Sequence, residues 1–190
     1  RAGRKRSLFS KSRNLVLKSF EEFIEVIRAL RAPDGCPWDK EQTFKSLTPH
    51  IIEEAYEVVH AIQEDSFDDL KEELGDMLLH VVMLSNMAEE ENQFNVEDVI
   101  VAVKEKMINR HPHVFGDKKA DTVEEVWTNW EAIKKTEKTG SPLNSIPKHF
   151  PALMQAEKIQ KKVARLGFDW PDVDGSIDKL QEEIQEVKEE

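Results

Sequence analysis

The chain has 190 residues, enough for one sizeable core or two small ones. It is 34% charged and 39% hydrophobic with only seven glycines, a balance that suits amphipathic helices and argues against an all-β chain. No apolar run approaches the roughly 20 residues that cross a bilayer, and one cysteine, Cys36, cannot close an internal disulfide, which points to a reducing, cytoplasmic setting.

The net charge of −11 is uneven. Arg1, Arg4, Lys5, Arg6, Lys11, Arg13 and Lys18 stand in the first twenty residues without an acid, so removing those seven positive charges leaves −18 on the rest. So acidic a body repels nucleic acid and phosphates unless cations intervene, and no specific nucleic-acid binding is expected. Residues 1–19 read as a basic tail or linker.

Helix signals then recur in chain order. Ser19-Phe20-Glu21-Glu22 has the form of a capping box, followed by Phe20, Phe23, Ile24, Ile27 and Leu30 at helical spacing. Pro33, Gly35 and Pro37 make residues 31–47 largely loop. Thr48 and Pro49 suit the N-cap and first position of a helix to about residue 64. Ser66 caps a longer one to about 90, and Asn95 a fourth to about 110. After a loop over 111–121, Thr122 caps a fifth helix through 135. Gly140, Pro142 and Pro147 mark a linker. A sixth helix covers about 151–165, and Ser176 opens the last after a loop over 167–175. No run of alternating apolar residues stands out, so the expected class is all-α.

Two of these helices carry matching carboxylate pairs. Ile51, Ile52, Ala55, Val58, Val59 and Ile62 form the apolar arc of the helix from Thr48. Glu54 and Glu57, three apart, share one flank of it, while Glu53 and His60 turn toward water. On the next helix, Leu70, Leu74, Met77, Leu78, Val81 and Leu84 form the arc, flanked by Glu73 and Asp76. A short turn favours antiparallel packing, which would gather four carboxylates at the rim of the core. Crowded like charges need a counter-ion. Hard oxygen ligands suit Mg²⁺, or Mn²⁺ in its place, with positions left for phosphate oxygens. The bland alternative is four solvated surface acids.

The full pattern Glu53-Glu54-Ala55-Tyr56-Glu57, fifteen residues, then Glu73-Leu74-Gly75-Asp76, resembles the EExxE…ExxD signature of the MazG family of all-α nucleoside triphosphate pyrophosphohydrolases. Gly35-Cys36-Pro37-Trp38-Asp39 with Gln42 and Thr43 is similar to that family too. So are Asn109-Arg110-His111-Pro112-His113-Val114-Phe115 and the set Trp127, Trp130, Glu131 and Lys134. The resemblance spans 20–138 and implies a helical bundle around an antiparallel pair, assembling as a homodimer or higher homo-oligomer. It implies Mg²⁺-dependent release of pyrophosphate from NTPs or dNTPs, leaving the monophosphate. It carries metal binding and catalysis onto Glu54, Glu57, Glu73 and Asp76, with Glu53 as an auxiliary ligand.

Substrate contacts follow the same reading. Lys40, Arg110 and Lys134 are candidates for phosphate, and Trp38 and Trp130 for base stacking. Core packing is the alternative for each tryptophan, and helix C-terminal charge for Arg110 and Lys134. His111 and His113 suit helix-end capping as well as phosphate. Cys36 reads as a small apolar residue rather than a nucleophile.

Past a linker over 139–149, residues 150–190 echo the first motif. Glu182-Glu183-Ile184-Gln185-Glu186-Val187 repeats residues 53–58, after Gly167-Phe168-Asp169-Trp170, which resembles the lead-in to a second MazG domain. No ExxD follows, so the expectation is the incomplete start of a second domain.

Two rival functions remain at this stage. A di-iron carboxylate bundle needs two Glu-x-x-His motifs, and only Glu57-x-x-His60 fits. A helical dimerisation or regulatory module would use the same faces without chemistry. A P-loop NTPase is excluded, since no GxxxxGK[ST] is present.

Overall fold

The computed structural model describes residues 2–137, 143 and 146–189, and no strand occurs among them. The helices are α1 (Ala2–Arg31), α2 (Pro37–Glu41), α3 (Thr48–Gln63), α4 (Phe67–Glu90), α5 (Val96–Arg110), α6 (Pro112–Phe115), α7 (Val123–Glu137), α8 (Ala152–Ala164) and α9 (Val173–Glu189). The chain is all-α, as expected. It divides into two compact units, Arg1–Lys118 with α1 to α6 and Lys119–Glu190 with α7 to α9. That division precedes the linker read over 139–149. Of that linker, residues 139–142 and 144–145 lie outside the described residues, as do Arg1, Lys138 and Glu190.

Several caps fall where the sequence puts them. The Ser66 hydroxyl accepts from the Asp69 N–H at 3.4 Å. Asn95 and Asp98 form a reciprocal box, at 3.1 and 2.9 Å, and Thr122 accepts from the Glu125 N–H at 3.2 Å.

Three starts differ. Ser19 begins nothing: its hydroxyl donates to the Leu15 carbonyl at 3.0 Å, one turn back inside the 30-residue α1. No proline or glycine stands between Arg4 and Lys18, so nothing stops helix propagation through the basic segment. The 1–19 segment, read as a tail or linker, is therefore helical from Ala2 onward. Thr48 likewise turns back, to the Phe44 carbonyl, and Leu47 occupies the N-cap with Pro49 in the first turn. α9 starts ahead of Ser176, where the Asp172 carboxylate accepts from the N–H groups of Asp174 and Gly175. The loops over 31–47 and 111–121 hold the short helices α2 and α6.

In the first unit, α4 is the central element, packed on α1, α3 and α5. Its core is Ile27, Leu47, Val82, Met83 and Met87, with Phe20, Phe23, Ile24, Leu30, Ile51, Leu79, Leu84 and Val96 against it. α3 and α4 meet over a tight turn. Asp65 takes a left-handed conformation (φ 51°), and the Ser66 N–H reaches the Ala61 carbonyl at 3.0 Å, closing α3 before α4 opens. Gly35 sits so close to the end of α1 that a Cβ would fall 2.4 Å from the carbonyl oxygens of Ala29 and Leu30. Only glycine lets the segment leading into α2 lie there.

The apolar arcs differ from expectation. Ile52, Val59 and Ile62 on α3 and Leu74, Leu78 and Val81 on α4 are exposed in the single chain. The buried residues of α4 are instead His80, Val82, Met83, Ser85, Asn86, Met87 and Ala88. Hydrophobic spacing shows that a face is apolar, not which surface covers it.

In the second unit, Arg165 ties α7 to α8. Its Nη1 donates to Glu131 Oε1 at 2.9 Å, and its guanidinium lies 5.9 Å from the Trp127 ring centroid.

Candidate metal and active site

α3 carries His50, Glu54 and Glu57 at spacings of four and three, one stripe of a helix. α4 carries Glu73, Asp76 and His80 at spacings of three and four, again one stripe. His50 stacks on His80, their ring centroids 6.4 Å apart, while Glu57 meets Glu73 at the other end. The two stripes thus run antiparallel and face each other.

Glu54, Glu57 and Glu73 each offer a carboxylate oxygen within 4.8 Å of the other two. Among the described residues, no lysine or arginine stands in ion-pair reach of them. The electrostatic consequence is direct. Enclosure, with the Glu54 side chain only 18% exposed, lifts its pKa above the usual carboxyl value. A hydrogen bond shared with the Glu57 carboxyl and the charges of Asp76, Glu57 and Glu73 lift it further. Glu73 is also raised, first by desolvation and then by Glu57, Glu72, Asp76 and Asp69. Uncompensated carboxylates with hard oxygen donors on two rigid helices fit a divalent cation.

Asp76 lies outside that three-residue cluster but close enough for its charge to act on Glu54, Glu73 and His80. Glu53 is exposed and turned to His50, with Oε2 3.7 Å from Nδ1. His60 is exposed and joins no such cluster among the described residues, so the one Glu-x-x-His of the sequence does not bring its histidine to the carboxylates.

The other candidates separate. Trp38 on α2 is 57% exposed and meets the His50 ring edge-on at 6.2 Å. Lys40 donates to the Pro33 carbonyl at 2.7 Å, which holds it along the loop ahead of α2. Arg110 is half-buried as the last residue of α5. Trp130 and Lys134 lie on α7 in the second unit, Lys134 3.9 Å from Glu131. His111 Nδ1 lies 2.6 Å from the Met107 carbonyl and closes the end of α5, the capping role read for it. Cys36 is half-buried at the N-cap of α2.

Two residues beside the carboxylates escaped sequence reasoning: His50 and His80. The signal that could have found them is spacing: Asp76-x-x-x-His80 and His50-x-x-x-Glu54 are one-turn spacings on the carboxylate stripes. His80 is 9% exposed, and its Nε2 lies 3.8 Å from Glu54 Oε1. Burial, and then the nearby His50, lower its pKa against the opposing pull of Asp76, so the ring is neutral at neutral pH.

Residues 42–115 match the model of the MazG nucleotide pyrophosphohydrolase domain, a span that contains all four paired carboxylates. The chain is 46% identical over 176 residues to a nucleoside triphosphate pyrophosphohydrolase of Escherichia coli strain K12, covering 90% of this chain and 67% of that protein. A nucleoside triphosphate pyrophosphohydrolase/pyrophosphatase MazG of Thermotoga maritima is 45% identical over 170 residues, covering 90% of this chain and 66% of its own length. The chain thus spans about two thirds of these relatives. The crystal structure of a mazG-related protein from Thermotoga maritima superposes with a TM-score of 0.51 at 31% identity, over 60% of this chain and 98% of that one. The chain belongs to the MazG family of nucleotide pyrophosphohydrolases.

Proposed function

We propose that this chain hydrolyses nucleoside triphosphates, ribo or deoxy, to the monophosphate and pyrophosphate in a Mg²⁺-dependent reaction, with Mn²⁺ able to substitute. The observation that carries the reading is the convergence of Glu54, Glu57 and Glu73 oxygens within 4.8 Å on two antiparallel helices. These three would hold the cation, with Asp76 beside them as a fourth ligand and Glu53 in an outer position. The cation supplies charge to offset the triphosphate and the negative charge that grows as the anhydride breaks. The chain's own part is to fix the carboxylates before substrate arrives and to orient a water toward the phosphorus.

Trp38 is the base-stacking candidate on the same unit, since its indole lies open beside His50. Lys40, Arg110, Trp130 and Lys134 remain proposed substrate contacts. The exposed apolar stripes of α3 and α4 support a homodimer in which a second copy covers them. The echo on α9 reads as a non-catalytic copy, with Lys179 set on Glu182 and Glu183 at 2.5 and 3.2 Å. In that register Lys179 takes the place of His50 and Glu183 that of Glu54, so a lysine stands against one counterpart of the paired ligands. The reading of residues 150–190 as the start of a second MazG-like domain rests on that echo. No helix of the described residues is long and apolar enough to cross a membrane.

The test is to incubate the chain with mixed NTPs and Mg²⁺ and to assay pyrophosphate and orthophosphate separately, with an EDTA control. Metal-dependent pyrophosphate without orthophosphate is expected. Orthophosphate as the main product, or turnover indifferent to EDTA, overturns the proposal.

A further inference from the structure

His80 is a buried polar side chain with little to hold it. Its Nδ1 is shielded from solvent and meets no hydrogen-bond partner among the described residues. Its Nε2 faces Glu54 Oε1 at 3.8 Å, beyond the 2.7–3.2 Å of a made hydrogen bond. The His50 ring lies nearly parallel to it, with 15° between the planes and 6.4 Å between the centroids. The other buried polar side chains of α4 are partnered, Ser85 donating to the Val81 carbonyl at 2.7 Å and Asn86 to Glu90 Oε1 at 2.7 Å, and the rest of its buried residues are apolar. A histidine with one nitrogen unpartnered and the other aimed at a carboxylate of the cluster is an expensive choice for packing alone.

We propose that His80 is a positioning residue: its Nε2–H takes hold of the Glu54 carboxylate and fixes which oxygen that group turns toward a divalent cation. A carboxylate that holds a cation through one oxygen keeps its orientation when a donor fixes the group, and His80 Nε2, 3.8 Å from Glu54 Oε1, is placed to be that donor. Such outer partners tune affinity without touching the ion, with losses of about 10-fold or more when removed. The inference rests on the reading of Glu54, Glu57 and Glu73 as a metal site.

The experiment measures Mn²⁺ affinity of the full chain by electron paramagnetic resonance, beside thermal unfolding without metal, for the unsubstituted protein and H80L, H80Q and H80N. Glutamine can bring an N–H to the place of Nε2; asparagine reaches only the place of Nδ1; leucine offers neither. H80L and H80N should lose about 10-fold in affinity, and H80Q should restore most of it. H80L is expected to keep its metal-free unfolding temperature. H80L binding as tightly as the unsubstituted protein overturns the proposal. Equal loss in all three, or rescue by H80N instead of H80Q, overturns it as well. Absence of Mn²⁺ binding in the unsubstituted protein is a different failure: it removes the metal site itself and His80's role with it.

Discussion

Arg31, at the end of α1, grips Glu90, at the end of α4, with two parallel hydrogen bonds: Nε to Oε1 at 2.8 Å and Nη2 to Oε2 at 2.7 Å. The same guanidinium donates through Nη1 to the Asp39 carbonyl at 2.6 Å, so one side chain joins α1, α4 and the α2 segment that carries Trp38. Fork-to-carboxylate pairing of this kind is geometrically specific.

That pair sets a pH dependence. The Arg31 hydrogen bonds hold the Glu90 carboxyl below its ordinary value of 4.5, so the unfolded chain binds that proton more readily. The pair's contribution is full above pH 4.5 and fades as pH falls through the lowered folded value. Glu90 is 44% exposed, and screening limits the effect to about 1 kcal/mol. Denaturant titrations should show Glu90→Gln less stable than the parent at pH 7, with the gap narrowing as the pH falls below 4.5 toward 3. A constant gap across that range would refute the linkage.

The crowded carboxylates act in the opposite sense. Glu54 and Glu73 have raised folded pKa values, so their protonation favours the folded chain below 4.5 and that support is lost as pH rises through the raised values. At neutral pH a cation should replace it. Mn²⁺ or Mg²⁺ is expected to raise the unfolding temperature at pH 7 and to do so weakly at pH 4. Glu73→Gln should be more resistant to denaturant without metal and insensitive to added metal. Calorimetry of the two proteins with and without metal decides this, and an unchanged metal response in Glu73→Gln removes Glu73 from the ligand set.

Asp76 has a separate test because it stands just outside the three-oxygen cluster. Asp76→Asn is expected to reduce pyrophosphate release by about 100-fold or more while the far-ultraviolet circular dichroism stays helical. Near-normal turnover would assign Asp76 to shaping the local field rather than to the metal.

The open stripes predict an assembly. Ile52→Glu or Leu78→Glu places a charge on a face that is exposed in one chain, so folding should survive. Sedimentation should show the parent as a dimer or larger and these variants as monomers. A monomeric parent would leave the stripes to some other partner.

Ser19 gives a prediction of sign. As an interior residue bonded back to Leu15, it weakens α1 slightly, so Ser19→Ala should stabilise the protein by about 0.5 kcal/mol. Loss of a cap would lower stability by about 1 kcal/mol instead. Chemical denaturation at one pH distinguishes the two.

The sequence alone determined the helical class, most of the helix ends and the paired carboxylates, because each depends on local chemistry. Caps such as Ser66 and Asn95 satisfy the first N–H groups of their own helix, and Glu54–Glu57 and Glu73–Asp76 are neighbours by helical spacing alone. The uninterrupted α1 was legible less well, since a serine at Ser19 caps or bonds backward depending on what precedes it. Tertiary structure decided everything that depends on a partner surface. It chose which apolar face of α4 is core, left Leu74, Leu78 and Val81 open, and set Glu54 against His80 from the neighbouring helix. Hydrophobic spacing fixes a direction around one helix axis; the rotation of a second helix against it is set by packing between residues far apart in the chain, which no local pattern encodes.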